Sequence, residues 1–306
     1  MNILGKEKTA RLLAHILRAY YHVTWMPWQE WVWNSLVARH LLWRPLTFTC
    51  KTEFDAKIIT TFPDTIQTCI FFFGFWEPNI TSYVSSKLRP GDIFIDIGAN
   101  IGYYSLLASR YVGQSGRVFA FEASPSIFTL LQKNLAANDA TNVTARNVAV
   151  SDRQCEIPIF LNRAENIGAS TTLQSVADSI GARQEATVNG YPLSDLVDLA
   201  VLRTARFIKI DVEGAEWPIV KGMRDVVSEL SDDTEILIEI NSSSAESLGG
   251  TAEDVLRIFL DAGFSPFEIS NSYEIGPYIR REKPQLVPFD GKPFIQKDFV
   301  LKRVLA

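Results

Sequence analysis

Ile93-Phe94-Ile95-Asp96-Ile97-Gly98-Ala99-Asn100-Ile101-Gly102-Tyr103-Tyr104-Ser105 is an apolar run of strand length that stops at an acid and a glycine turn, then takes up helical spacing. A strand that passes through a glycine loop into a helix is the arrangement that holds a nucleotide cofactor at the carboxyl edge of a parallel sheet. Gly98 and Gly102 permit a tight turn and close approach of a ligand, and the following helix starts with unpaired backbone N–H groups. Arg117–Glu122 reads as a second strand ending in an acid, twenty residues beyond Gly102, where an acceptor for ribose hydroxyls belongs.

What the loop lacks separates the cofactors. A dinucleotide fingerprint starting at Gly98 requires glycine at positions 100 and 103, and Asn100 and Tyr103 stand there instead, which disfavours close approach of a pyrophosphate and makes NAD the lesser reading. A carboxylate at Asp96 would repel a diphosphate but favours a cofactor carrying an ammonium and a sulfonium. S-adenosylmethionine fits that description, with Asp96, Gly98, Asn100, Gly102, Ser105 and Glu122 as candidate contacts. The alternative is a glycine turn in an α/β protein that holds no cofactor.

The chain resembles the FkbM-type methyltransferases over residues 70–270. The marks are Phe75-Trp76-Glu77-Pro78, Pro90-Gly91-Asp92 leading into the glycine loop, Phe121-Glu122, Asn147-Val148-Ala149-Val150-Ser151-Asp152, and Lys209-Ile210-Asp211-Val212-Glu213-Gly214-Ala215-Glu216, the most family-specific. This resemblance implies an α/β, Rossmann-like class I methyltransferase with a seven-stranded, mostly parallel sheet, helices on both faces and an antiparallel last strand. It implies methyl transfer, usually to oxygen on a sugar, glycan or other small-molecule hydroxyl, and it brings Ala149 and Asp152 toward the adenine.

A chain of 306 residues with 47% hydrophobic content can bury one large core or a core with a smaller appended unit. The formal charge of −5, without a basic stripe interleaved with aromatics, makes nucleic acid an unfavoured partner. Cys50, Cys69 and Cys155 form no C-x-x-C pair and are odd in number, so they read as reduced thiols of a cytoplasmic protein.

Three segments follow. Residues 1–47 hold five of the seven tryptophans (Trp25, Trp28, Trp31, Trp33, Trp43) and all three histidines. They read as helices interrupted near Pro27, without an uncharged stretch long enough to span a membrane. The aromatics would pack on the catalytic domain or a twin subunit, anchor the protein peripherally at a membrane surface, or form a substrate lid. Residues 48–89 suggest a β-hairpin or meander followed by a lead-in helix from Pro78, with Glu77 at the helix's positive end or facing the cofactor. Residues 90–306 alternate strand and helix, which predicts a parallel sheet. They are interrupted by an insertion at 153–190 whose Asn166, Ser170 and Thr171 are substrate-side candidates or part of a surface loop. Asn271–Pro293 is a second candidate wall of the substrate pocket.

Phe207–Asp211 and Glu235–Ile240 read as central strands, where charges are costly unless paired. Strand alternation puts Lys209 and Asp211 on one face, so a Lys–carboxylate pair at the sheet's carboxyl end would satisfy them. Methyl transfer to a hydroxyl needs a proton acceptor or a divalent ion, which makes Asp211, Glu213, Lys209 and Glu239 the catalytic candidates. If a metal is used, Asp211, Glu239 and Asn241 resemble the oxygen-ligand set of catechol-type methyltransferases, which suits magnesium, although Glu239 departs from the shorter acid of that pattern. Nucleic-acid or protein N-methylation is the second reading, weakened because Asp211-Val212-Glu213-Gly214 stands where an Asn/Asp-Pro-Pro-aromatic motif would be; a cofactor-binding scaffold is the third.

Overall fold

The computed structural model describes residues 3–23, 27–161, 171–271, 274–280 and 284–304. In chain order its strands are β1 (Thr47–Lys51), β2 (Lys57–Thr61), β3 (Ile93–Ile97), β4 (Arg117–Phe121), β5 (Val143–Arg146), β6 (Ala149–Val150), β7 (Cys155–Leu161), β8 (Arg183–Tyr191), β9 (Phe207–Ile210), β10 (Glu235–Asn241), β11 (Ser265–Ile269), β12 (Leu286–Pro288) and β13 (Gln296–Lys302). The main sheet has the order β12-β11-β13-β10-β9-β3-β4-β5. β5, β4, β3, β9 and β10 run parallel, and β13 lies antiparallel between β10 and β11. The chain builds outward from β3 to β5, then returns to add β9 and β10 on the other side. The carboxyl ends of β3 and β9 therefore flank the switch point where such sheets bind ligands. This is the class I arrangement with the seven expected strands, and the short β12 adds an eighth at the edge.

Central strands fed by crossover helices are covered on both faces, so they are apolar at successive positions rather than alternate ones. All of β3 is buried. Ile93, Ile95, Ile97, Ile208, Ile210, Ile236 and Ile238 face one layer, and Phe94, Phe207, Leu237 and Val300 face the other. In register across β3 and β9, Phe94 and Phe207 stack with ring centroids 5.6 Å apart.

The second layer contains the N-terminal segment. Helix Ile3–Tyr21 buries Ala10, Ala14, Leu17 and Tyr21, a three-and-four spacing that presents one stripe to the core. The chain then returns through helical turns from Gln29 to His40, where Trp33 stacks on Phe73. Trp25 lies outside the described residues. The 48–73 stretch corrects the expected meander: β1 and β2 form the hairpin, but Thr65–Phe73 is a helix. Asp64 caps it by accepting the Gln67 N–H at 2.8 Å, and left-handed Gly74 ends it. A four-residue apolar run such as Ile70–Phe73 carries no period of its own, so those caps decide.

Within the 153–190 insertion, Cys155–Leu161 and Arg183–Tyr191 are strands that the weak patterning did not suggest. β7 and β8 pair antiparallel, and β6 joins β8 to make a separate three-stranded sheet. Val143–Arg146 and Ala149–Val150 are separate strands because the Asn147 amide donates to the Glu122 and Ala123 carbonyls, at 2.8 and 2.9 Å, and turns the chain away from the main sheet.

Candidate active site

The loop after β3 is held by contacts within the protein. Gly98 (φ 81), Asn100 (φ 50) and Gly102 (φ 88) are all left-handed. A Cβ on Gly98 would lie 1.8 Å from the Asp211 carbonyl oxygen, and one on Gly102 would lie 2.4 Å from Leu131 Cδ1. These glycines are therefore demanded by packing against the β9 loop and helix Pro125–Ala136, where close approach of a ligand had been expected to be the reason. The turn presents the Asn100 N–H to Glu122 Oε2 at 2.8 Å, and Glu122 Oε1 accepts the Ser124 N–H, also at 2.8 Å. Each carboxylate oxygen has two acceptor positions, so one on each remains for a ligand. Burial pushes the Glu122 carboxyl up to about 7, against those two backbone donors.

Asp96 and Ser105 lie beneath the loop and do not line the cavity. The Ser105 hydroxyl donates to Asp96 Oδ2 at 2.6 Å, and Asp96 Oδ1 is buried without a hydrogen-bond partner. Burial raises the Asp96 carboxyl, and the Lys209 ammonium opposes this.

Register places four ionisable groups in a row on one face: Asp96 opposite Lys209 toward the carboxyl ends of β3 and β9, and Glu239 toward the carboxyl end of β10 opposite Asp298 near the amino end of antiparallel β13. Lys209 Nζ pairs with Asp211 at 2.7 Å and stands 4.8 Å from the centre of the Tyr104 ring. Burial alone would pull this ammonium down, but Asp211, Asp96 and Glu77 hold it above its ordinary value. Glu77, left-handed at φ 45, closes the row from above and is buried away from the cavity wall. It accepts from Tyr104 and Asn271, each at 2.7 Å, while its N–H donates to Tyr278. Burial and the nearby Asp211 push the Glu77 carboxyl up. Glu239 accepts from the Gln296 amide, and burial with repulsion from Asp211 and Asp298 lifts it to about 9.

Beyond Asp211 the chain turns through Glu213 (φ 51) and Gly214 (φ 101). Glu216 fixes this turn by accepting the Gly214 N–H at 2.8 Å. Glu213 faces the cavity and is reached by solvent through it. The protein around it, with repulsion from Asp211, Glu216 and Glu77, pushes its carboxyl up to about 8. A carboxyl poised there is a proton acceptor matched to near-neutral chemistry.

These elements enclose a cavity of about 410 Å³. Gly98, Asn100, Glu122, Ala149, Asp152, Lys209, Asp211 and Glu213 all line it. The opposite wall is the β7 hairpin with Thr171, and Trp76, Trp217 and Leu248 add apolar surface. The paired strands are tied beside Glu122, since Glu185 on β8 accepts the Ser124 hydroxyl at 2.6 Å and the Ser126 N–H at 2.9 Å. Asp152 sits at the rim, where burial would raise its carboxyl but Lys221 and Arg153 hold it low. Asn166 and Ser170 lie outside the described residues. Glu216, part of the Lys209–Glu216 motif, fixes the turn and does not line the cavity. Asp298 carries no signal in the sequence, because it follows Gln296 and Lys297 at the polar start of a strand that is apolar only over Phe299–Leu301. Among the described residues no group of three His, Cys, Asp or Glu is placed to hold a metal ion. Asn241 is engaged in capping helix Ser242–Ser247 through the Ser244 N–H at 3.1 Å.

Residues 96–266, more than half of the chain, match the methyltransferase FkbM domain. The chain belongs to that family. As an FkbM-family protein it is an S-adenosylmethionine-dependent methyltransferase, and the Glu122 carboxylate, Asn100 and the surrounding acids fit that cofactor's hydroxyls and positive charges. It is 24% identical to Methyltransferase 1 of Beauveria bassiana, over 51% of this chain and 68% of that one. It is 27% identical to methyltransferase sdnD of Sordaria araneosa, over 46% of this chain and 64% of that one. It is 23% identical to the hexuronic acid methyltransferase AglP of Haloferax volcanii, over 62% and 70%. Among solved structures, an S-adenosylmethionine-dependent O-methyltransferase from Thermotoga maritima aligns over 85% of this chain and 78% of its own, at 17% identity and a TM-score of 0.42.

Proposed function

We propose that this FkbM-family enzyme methylates an uncharged hydroxyl on a sugar, a glycan or another small molecule. Glu213 is the observation that carries the reading: it lines the cavity beside Asp211 and Lys209, with a carboxyl that burial and its acidic neighbours push up. Bound S-adenosylmethionine supplies an electrophilic methyl on a sulfonium. The chain's own task is to orient the acceptor oxygen, exclude water and take its proton. Glu213 takes the proton, Lys209 holds Asp211 in place through their ion pair, and Glu216 keeps the Glu213 turn rigid. Of the acids around Lys209, Asp211 lines the cavity together with Glu213, while Glu77 and Asp96 lie behind its wall.

The similarity to AglP directs the first assays to hexuronosides and neutral glycosides with labelled S-adenosylmethionine. A methyl ether survives mild alkali and a methyl ester does not, so the label's stability identifies the acceptor atom. Transfer only to peptides or nucleic acids would replace this reading with N-methylation. Cofactor binding in a calorimetric titration without transfer to any acceptor would leave a cofactor-binding scaffold. Asn241 is taken up in capping helix Ser242–Ser247 and Asp211 in its pair with Lys209, so the expected magnesium set does not fit and a free base is the reading.

A further inference from the structure

The N-terminal layer carries features that methyl transfer does not use. Five of the eleven exposed large apolar side chains among the described residues fall between positions 12 and 43: Leu12 (63% exposed), Ile16 (56%), Trp28 (77%), Trp31 (59%) and Trp43 (67%). Leu12 and Ile16 are one turn apart on helix Ile3–Tyr21, on the face opposite the buried Ala10–Ala14–Leu17–Tyr21 stripe. The returning segment lies over the same inner helix, Thr65–Phe73, through Trp33, Phe72 and Phe73. Both segments thus turn their outer sides away from the core together.

Trp28 is left-handed (φ 63) with its ring in solvent, a conformation that is costly for a bulky residue. Charge distinguishes the layer as well. Residues 1–47 carry six lysines and arginines against two glutamates, a net charge of +4 in a chain whose total is −5. Lys8, Arg39 and Arg44 are exposed among the apolar side chains. Among the described residues no helix is long and apolar enough to cross a membrane.

We propose that this layer docks on an anionic lipid surface, with Trp28, Trp31, Trp43, Leu12 and Ile16 entering the headgroup region and the basic residues meeting lipid phosphates. Exposed indoles suit an interface with one apolar and one wet side. A positive segment on an otherwise negative protein is drawn to such a surface while the remainder is held off it. The proposal does not depend on the acceptor.

The test is sedimentation of the full chain with phosphatidylcholine vesicles and with vesicles of phosphatidylcholine mixed with phosphatidylglycerol. Binding to the mixed vesicles is expected, and it should weaken as salt rises. A Trp28→Ser/Trp31→Ser/Trp43→Ser variant should partition at least about tenfold less while still binding S-adenosylhomocysteine. If that variant does not fold, Lys8→Glu/Arg39→Glu should lower partitioning by about tenfold or more. Three results overturn the proposal: no partitioning into mixed vesicles, partitioning unchanged in folded variants, or a wild-type dimer that ignores vesicles and dissociates in the tryptophan variant, which would assign the surface to a second copy of the chain.

Discussion

Replacing Glu122 with alanine removes an acceptor that serves two purposes. In the folded protein its oxygens satisfy the Asn100 and Ser124 N–H groups, both at 2.8 Å, and their remaining acceptor positions face the cavity. Losing hydrogen bonds from two ribose hydroxyls to a charged acceptor should cost binding about 1.5–3 kcal/mol, at least about tenfold in affinity. Leaving two backbone donors without their partner should lower stability by about 2–4 kcal/mol. Calorimetric titration with S-adenosylhomocysteine reads the first effect and urea unfolding the second. The pH dependence adds a signature. Only the ionised carboxylate accepts from both hydroxyls, and burial places its titration near 7, so affinity should rise as pH rises through about 7. Glu122→Gln should abolish that rise. A folded Glu122→Ala protein with unchanged affinity would remove Glu122 from the cofactor site and refute the reasoning.

Glu213→Gln should lower turnover by about 10²–10⁴-fold while leaving cofactor affinity within a few fold, and Asp211→Asn should do the same if Asp211 shares the role; full turnover in both on the true acceptor would make these acids structural. Wild-type kcat/KM should rise with pH to a limb near 8, where Glu213 loses its proton, and the limb should vanish in Glu213→Gln. Activity abolished by EDTA and restored by magnesium would instead assign Asp211 and Glu239 to a metal. Gly98→Ala should cost about 3 kcal/mol or more, because its Cβ would strike the Asp211 carbonyl in a left-handed conformation; a urea midpoint near wild type would show that the two loops do not touch. Glu122, Glu216, Glu213 and Glu239 have folded-state values of about 7, 7, 8 and 9, all above an unfolded glutamate, so the native state binds the extra protons. Stability should therefore fall as pH rises from about 5 to about 9, read as a declining urea midpoint.

What was legible in the sequence was set by local rules. The strand–Gly98–Gly102–helix loop, the acid closing the next strand and the shared face of Lys209 and Asp211 follow from strand alternation and turn chemistry, and each is found in place. The Glu77 environment was not legible, because Tyr104, Asn271 and Tyr278 come from distant segments. The β7–β8 pairing was hidden because both strands are half exposed and mix polar with apolar residues. The helix Thr65–Phe73 was misread because a fully buried helix shows no amphipathic period. Leu193–Leu196 and Leu199–Leu202 are two separate turns and not one continuous helix because Asp198 caps a fresh start at the Ala200 N–H, 2.8 Å away.

The Asp211 carbonyl occupies the space where Gly98 would carry a side chain. The Gly98 turn, proposed to hold the methyl donor, and the turn that bears the acids are therefore interlocked like two teeth of one gear, and neither can be re-shaped without moving the other. Attempts to redirect the enzyme to a new acceptor through residues 211–216 should lose the donor as well. Of the two expected pocket walls, none of the described residues of 271–293 lines the cavity, and Asn271 and Tyr278 hold Glu77; the paired strands β7 and β8 lie outside the interlock and β7 walls the cavity, so redesign of acceptor choice should begin there.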